Sequence, residues 1–152
     1  MKLAEALMLR ADLQKKVASL KERVVANAVV QQGDKPHEAP LDLISAANGV
    51  LDELEVLVTR INAANLATRL DDGVTMTQAI ARRDTLMQRH ALLIAAIGGT
   101  RREPARYGMS EIKWVATLEV AKLQKQADDL SKSIRELNAR IQAANWATEL
   151  MD

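Results

Sequence analysis

The stretch Arg60-Ile-Asn-Ala-Ala-Asn-Leu-Ala-Thr-Arg-Leu70 decides the fold, because it returns 80 residues later as Arg140-Ile-Gln-Ala-Ala-Asn-Trp-Ala-Thr-Glu-Leu150. Eight of the eleven residues are identical. A weaker match, at an offset of 73, relates the segment that begins at Leu3 to the one that begins at Met76. We therefore predict a single domain, residues 1–152, that contains an internal repeat of residues 1–70 and 74–150.

Apolar residues near each repeated stretch follow the four-three spacing of a helix that packs along one seam. In the first half this seam comprises Leu43, Ala47, Val50, Leu54, Leu57, Ile61 and Ala64, and at an offset of 80 it recurs from Leu123 to Ala144. Residues 3–29 and 76–97 are similarly amphipathic. We predict a mainly all-α fold, in which duplicated helical hairpins with long, coiled-coil-like helices form an antiparallel four-helix bundle.

Residues 111–118 differ from this helical pattern. Ile112, Trp114, Ala116 and Leu118 alternate with mostly polar neighbours, a two-residue period that is typical of a half-buried strand. A strand needs a partner for its backbone groups, so we expect it to pair with the turn at residues 73–77 or with another copy of the chain. The alternative prediction is that 111–118 forms the first turns of the fourth helix.

Two arginines occupy equivalent places on the apolar seams of the first and third helices. Arg10 and Arg83 are 73 residues apart, and a buried guanidinium without a partner is costly. We predict that each meets a carboxylate of a facing helix and fixes the helix register, and the candidate acids are Glu53, Glu55, Asp128 and Glu136. The alternative is a pocket for an anion on the pseudo-twofold axis between the two halves.

A second basic group lies in the long connection between the third and fourth helices. It comprises Arg101, Arg102 and Arg106, with Tyr107 and Lys113 nearby. Arginine binds phosphate or carboxylate in a bidentate manner, and a tyrosine can donate a hydrogen bond to such a ligand. A solvated loop explains the same residues, so the ligand site and the solvated loop remain alternatives.

Composition and motifs exclude several classes of function. The 21 basic and 20 acidic residues nearly balance, which makes nucleic-acid binding unexpected. We find no metal-binding spacing, no phosphate-binding loop and no catalytic motif, so we expect a protein that is not an enzyme and has no cofactor or metal. Cysteine is absent, and the longest apolar run, residues 91–97, is too short to cross a membrane. We expect a cytoplasmic location.

Several stretches resemble those of a known family. Met1 to Gln14, Ala81 to Asp84, Ser110 to Val115, Leu123 to Leu130 and Ala144 to Trp146 are similar to segments of small bacterial proteins that are called septicolysin-like. The resemblance covers most of the chain. It implies a shared helical fold and, from the name of the family, a membrane-active cytolysin. It implies no particular functional residues.

The functional prediction follows from the apolar seams of the helices and from the predicted strand at residues 111–118, which needs a partner. Long heptad seams call for partner helices, so we predict a non-catalytic helical protein that forms a homo-oligomer. The alternative prediction is a binder of a small phosphorylated or nucleotide-like anion through Arg10, Arg83 and the basic connection.

Overall fold

The computed structural model describes residues 1–101 and 113–151. It contains four α-helices, α1 (Leu3–Ala26), α2 (Pro40–Ala67), α3 (Met76–Gly99) and α4 (Val120–Ala147). The helices pair as hairpins, α1 with α2 and α3 with α4, and the described residues contain no β-strand. The predicted all-α class, its long helices and their pairing into hairpins are confirmed.

The bounds of the helices follow the two offsets that relate the halves of the sequence. The bounds of α3 are those of α1 moved by 73 residues, and the bounds of α4 are those of α2 moved by 80. The starts of α1 and α3 also correspond, because the backbone N–H of Lys2 donates to the Glu5 carboxylate at 2.7 Å and that of Thr75 donates to the Gln78 amide oxygen at 3.0 Å. Each contact satisfies a donor that the first helical turn leaves unpaired.

The chain divides into two compact units, and the first comprises Met1–Arg69 and Gln142–Asp152. Its core is the predicted seam between α1 and α2, which buries Leu3, Ala6, Leu13, Leu20, Leu43, Val50, Leu57, Ile61, Ala64 and Leu150. The segment after α4 joins this unit through two backbone hydrogen bonds. The N–H of Leu3 donates to the carbonyl of Thr148 at 2.9 Å, and the N–H of Leu150 donates to the carbonyl of Met1 at 2.8 Å.

The second unit, Leu70–Ile141, contains the turn between the halves, helix α3 and most of α4. Its buried apolar residues are Leu70, Met76, Ala79, Ile97, Ala127, Leu137 and Ile141. The turn is closed by the N–H of Leu70, which donates to the carbonyl of Val74 at 2.8 Å. Gly73 has a φ of +81°, a conformation that residues with a side chain rarely adopt, so a glycine is needed at this position.

The expectations for residues 111–118 and for two asparagines need correction. Residues 113–118 form neither a strand nor a helical turn, and α4 begins only at Val120. Trp114 and Val115 are 74% and 82% exposed, so the alternation in the sequence does not mark one buried face. Residues 111–112 lie outside the described residues. The repeated Ala-Ala-Asn also predicts that Asn65 and Asn145 end the second and fourth helices in the left-handed conformation. This prediction is wrong, because both residues lie within α2 and α4 and have negative φ.

Candidate functional site

Arg10 lies on the buried side of α1 in the first unit. Its side chain is half-buried between Ala6 and Leu13 of the seam, and its Nε is buried without a hydrogen-bond partner among the described residues. A buried donor without an acceptor costs about 1–3 kcal/mol. The carboxylate predicted for this guanidinium does not reach its Nε, which therefore keeps an unused capacity to donate to an acceptor.

Arg83, the equivalent residue, belongs to the second unit and does have a partner. Its Nε and Nη2 both donate to Oδ1 of Asp84, at 3.0 and 2.8 Å. The partner is therefore the next residue on the same helix and not one of the four acids that the sequence suggested. Since a guanidinium has five N–H donors, this contact leaves Arg83 able to bind a second carboxylate.

A cavity of about 410 Å³ lies where α3 ends in the second unit. It is lined by Ala96, Gly99 and Thr100 and by the irregular segment from Trp114 to Leu118. Two predicted site residues adjoin it in sequence, because Arg101 follows Thr100 and Lys113 precedes Trp114, and both are exposed. The predicted residues Arg102, Arg106 and Tyr107 lie outside the described residues.

The corresponding place in the first hairpin holds an ion pair. Arg23 Nε donates to Oε2 of Glu38 at 2.9 Å, a second contact joins Nη2 to Oε1, and Asn27 accepts from the Glu38 N–H at 3.1 Å. At the offsets of 73 and 80, the residues equivalent to Arg23 and Glu38 are Ala96 and Leu118, which line the cavity. The ion pair therefore has no counterpart at Ala96 and Leu118, because neither side chain carries a charge.

Each arginine that begins a copy of the repeated stretch binds the segment that follows the other copy. Arg140 Nε donates to Asp71 Oδ1 at 2.9 Å, and its Nη2 lies 2.8 Å from Oδ2 of Asp72. Arg60, the equivalent residue, donates to the carbonyl of Met151 at 2.9 Å, and Met151 is the equivalent of Asp71. Nothing in the sequence indicated the contact between Arg140 and Asp71, because a contact across 69 residues leaves no local signal.

Three exposed carboxyls have a pKa below the usual range because each accepts a hydrogen bond from a cation. The pKa of Glu38 is lowered by Arg23, that of Asp72 by Arg140 and then by the Val74 N–H, and that of Glu149 by Lys2 and the terminal amine of Met1. The Lys2 Nζ lies 2.7 Å from Oε1 of Glu149. These contacts join chain segments that are distant in sequence. The protonation state of the three carboxyls therefore affects the stability of the fold.

We expect the free energy of unfolding to decrease when the pH falls below the ordinary pKa values, 4.5 for glutamate and 3.8 for aspartate. Because each folded pKa is lowered, the stabilisation is complete above the unfolded pKa and is lost as the pH falls through the folded pKa. Urea denaturation across this acidic range measures the slope. The variant Glu38→Gln should show a shallower slope than the parent, whereas Glu53→Gln, an exposed site on α2, should not; equal slopes for Glu38→Gln and the parent would contradict the prediction.

Among the residues that the structure describes, the other chemistry-bearing groups do not form a recognisable catalytic arrangement. His90 is half-buried and lines a shallow cavity of about 340 Å³ with Met87, Ser131, Ile134 and Arg135. Within residues 1–101 and 113–151, no group of three histidine, aspartate or glutamate side chains is placed to hold a metal ion. In the same part of the chain, none of the helices combines the length and the apolar character that crossing a membrane requires.

Comparisons with known proteins identify the family. The chain belongs to a family of unknown function (DUF6847), whose profile matches residues 10–150. The fold is similar to a crystal structure described as a functionally unknown conserved protein from Corynebacterium diphtheriae, with a TM-score of 0.92 and 35% sequence identity over 99% of both chains. None of the curated proteins matches the chain.

The resemblance to septicolysin-like proteins is wrong. The family match covers nearly the whole chain, and neither it nor the similar crystal structure indicates a septicolysin-like protein. The resemblance depended on short amphipathic segments that are rich in alanine and leucine. Unrelated helical proteins share such segments, because the same spacing is required wherever helices pack along a seam.

Proposed function

We propose that this protein is a non-catalytic helical module that self-associates. The observation that supports it most is a second apolar stripe on α2. Ile44, Leu51 and Val58 each lie one position after a buried seam residue, so they form a line beside the seam. Ile44 and Leu51 are 42% and 44% exposed, and Val58 is half-buried. The apolar face of α2 is therefore wider than the surface that α1 covers.

The fold itself does not require this stripe. The equivalent residues of α4, at an offset of 80, are Gln124, Ser131 and Asn138, which are all polar. The hairpin of α3 and α4 thus forms with polar residues at the positions that correspond to the α2 stripe. Fully burying one leucine or isoleucine is worth about 1.5–3 kcal/mol, and for the α2 stripe much of this free energy is not gained within the chain. A line of exposed apolar side chains along one helix is a feature of surfaces that bind other proteins.

A second candidate function is the binding of a small anionic ligand. It is supported by the buried Nε of Arg10 without an acceptor and by the open cavity at the end of α3, where Arg101 and Lys113 are the adjoining cations in sequence. The lining combines apolar side chains, such as Trp114 and Leu118, with polar ones, such as Thr117, and would suit a ligand that has both an anionic and an apolar part. We give it second place because Arg10 belongs to the first unit and the cavity belongs to the second.

Native mass spectrometry of gently purified protein, with sedimentation equilibrium at micromolar concentration, tests both candidates. We expect a defined oligomer that dissociates on dilution, because the apolar stripe is buried only between copies. A monomer at all concentrations would contradict self-association. An additional anionic mass would favour the second candidate, and adding that compound at a hundredfold excess over its Kd should then increase the stability by about 2.7 kcal/mol.

We also propose that residues 1–152 arose as one domain by duplication, with halves 1–70 and 74–150. The equivalent helices of the two halves have the same length, which supports this proposal, as do the equivalent contacts of Arg60 and Arg140. Thr68 and Thr148 are equivalent residues, and their hydroxyls lie 3.4 Å apart. We also propose a cytoplasmic location, with which the absence of cysteine agrees.

A further inference from the structure

Helix α3 carries a second apolar stripe of the same kind as α2. Ile80, Met87 and Ile94 each lie one position after a residue of the α3 seam. Met87 and Ile94 are 51% and 44% exposed, and Ile80 is half-buried. The residues equivalent to Met87 and Ile94 in α1, at an offset of 73, are Gln14 and Lys21. The extra stripe is therefore a feature of α2 and α3 that their repeat partners α4 and α1 do not share.

We propose that the α2 stripe of one copy packs antiparallel against the α3 stripe of a second copy, an inference that rests on the proposed self-association. The α2 stripe is Ile44, Leu51 and Val58, and the α3 stripe is Ile80, Met87 and Ile94. A two-fold axis between the copies generates this contact twice, because the α3 stripe of the first copy then meets the α2 stripe of the second. Each stripe is thus covered by the other stripe of an identical chain.

The spacing of the two stripes is compatible with such packing. Both have a period of seven residues and consist of three side chains, centred on Leu51 in α2 and on Met87 in α3. A line at one heptad position supplies half of the apolar pattern of a coiled coil, and the side chains of two such lines can insert between one another when the helices pack side by side. Isoleucine, valine and leucine fill such an interface well, and the flexible Met87 can adapt to its neighbour.

Charge favours contact between α2 and α3 over contact between two copies of the same helix. Helix α2 contains four carboxylates and one arginine, whereas α3 contains three arginines and one carboxylate, Asp84. Pairing α2 with α2 or α3 with α3 would bring like charges together, and like charges across an interface disfavour the wrong partner. The opposite signs of α2 and α3 support a contact between unlike helices.

Antiparallel packing also provides a specific ion pair. Glu55 lies four residues after Leu51, and Arg83 lies four residues before Met87. When the two stripes run in opposite directions with Leu51 beside Met87, Glu55 and Arg83 are therefore at the same level of the interface. Arg83 binds only one oxygen of Asp84 and has donors left for the Glu55 carboxylate. The ion pair between Glu55 and Arg83 thus favours the antiparallel direction of the two helices as well as the pairing of α2 with α3.

The chain has no cysteine, so cross-linking through introduced cysteines tests the pairing directly. Mixing the single variants Leu51→Cys and Met87→Cys under mild oxidation should give a disulfide between unlike copies in excess over disulfides between like copies. The matched control is a mixture of Ser131→Cys and Gln14→Cys, the repeat equivalents, which should cross-link little. Sedimentation of each unoxidised variant checks that the oligomer persists.

A second measurement uses the association constant. Leu51→Ser introduces the residue that stands at the equivalent position of α4, and we expect it to weaken association about tenfold or more. Leu66→Ser, an exposed site on α2 outside the stripe, should leave association unchanged. Circular dichroism of both variants establishes that the helices are intact.

The outcomes separate the two proposals. A parent protein that stays monomeric would overturn both. An oligomer that forms disulfides only between like copies, or that tolerates Leu51→Ser as well as Leu66→Ser, would overturn the pairing of α2 with α3 and leave self-association standing. A disulfide within one chain of the double variant Leu51→Cys/Met87→Cys would mean that the stripes meet inside one molecule, and it too would overturn the contact between copies.

Discussion

Replacing Ile61 by alanine should lower the free energy of unfolding by about 2–5 kcal/mol, because a large buried side chain is removed and a cavity remains. Ile61 is 1% exposed and lies in the repeated stretch, where α2 packs into the core of the first unit. Few buried aromatic side chains are available to compensate, since the chain has no phenylalanine and one tyrosine. Urea denaturation measures the change when it is monitored by circular dichroism at 222 nm, a wavelength at which α-helices have a strong negative ellipticity.

Leu66→Ala is the control for this prediction. Leu66 lies one and a half helical turns after Ile61 on the same helix and is well exposed, so its replacement should change stability by no more than about 0.5 kcal/mol. The equivalent residue in the other unit, Ile141, is also buried, and Ile141→Ala should cost as much as Ile61→Ala. Equal, small effects for Ile61→Ala and Leu66→Ala would show that the seam does not form the core.

Replacing Ala79 by leucine should destabilise the second unit by about 1–3 kcal/mol, because it overfills a packed interior. Ala79 is 1% exposed, and its repeat equivalent Ala6 is fully buried, so both first turns use a side chain of one carbon at this position. Three additional carbons can be accommodated only if neighbouring side chains or the helix move. Thermal and urea denaturation of Ala79→Leu provide the measurement.

The same substitution at an exposed alanine of α3 provides the control. Ala81→Leu adds the same carbons to the solvent side of the helix, where they should have little effect on stability. Leucine and alanine are both good helix formers, so the two variants differ in burial and not in helix propensity. If Ala79→Leu were as stable as Ala81→Leu, the interior at this position would have to contain unfilled space.

The sequence predicted the helices well because their signal is local and periodic. Seam residues such as Leu57 and Ile61 recur at intervals that only a helix brings to one side, and they are buried as expected. The pattern failed at residues 113–118, where an alternating order of residue types occurs without a neighbouring strand to pair with. Alternation is necessary for a half-buried strand but does not supply the backbone partner that a strand needs.

The candidate site was only partly accessible to sequence reasoning. The rule that a charge on an apolar seam needs a partner drew attention to Arg10 and Arg83. It did not reveal that Arg83 binds its neighbour Asp84 or that the Nε of Arg10 has no acceptor among the described residues. Side-chain direction decides such contacts, and the spacing of residues along a helix does not specify it.

The amino-acid sequence by itself determined the four helices, their seams and the correspondence between the halves, because each depends on residue spacing within a helix or on direct repetition. Only the tertiary structure decided which apolar residues remain uncovered. Ile44 and Met87 are as apolar as the residues of the seams, and their exposure depends on how far the neighbouring helix covers each face. It also decided the ion pair between Arg140 and Asp71, since contacts across 69 residues arise only when the chain folds.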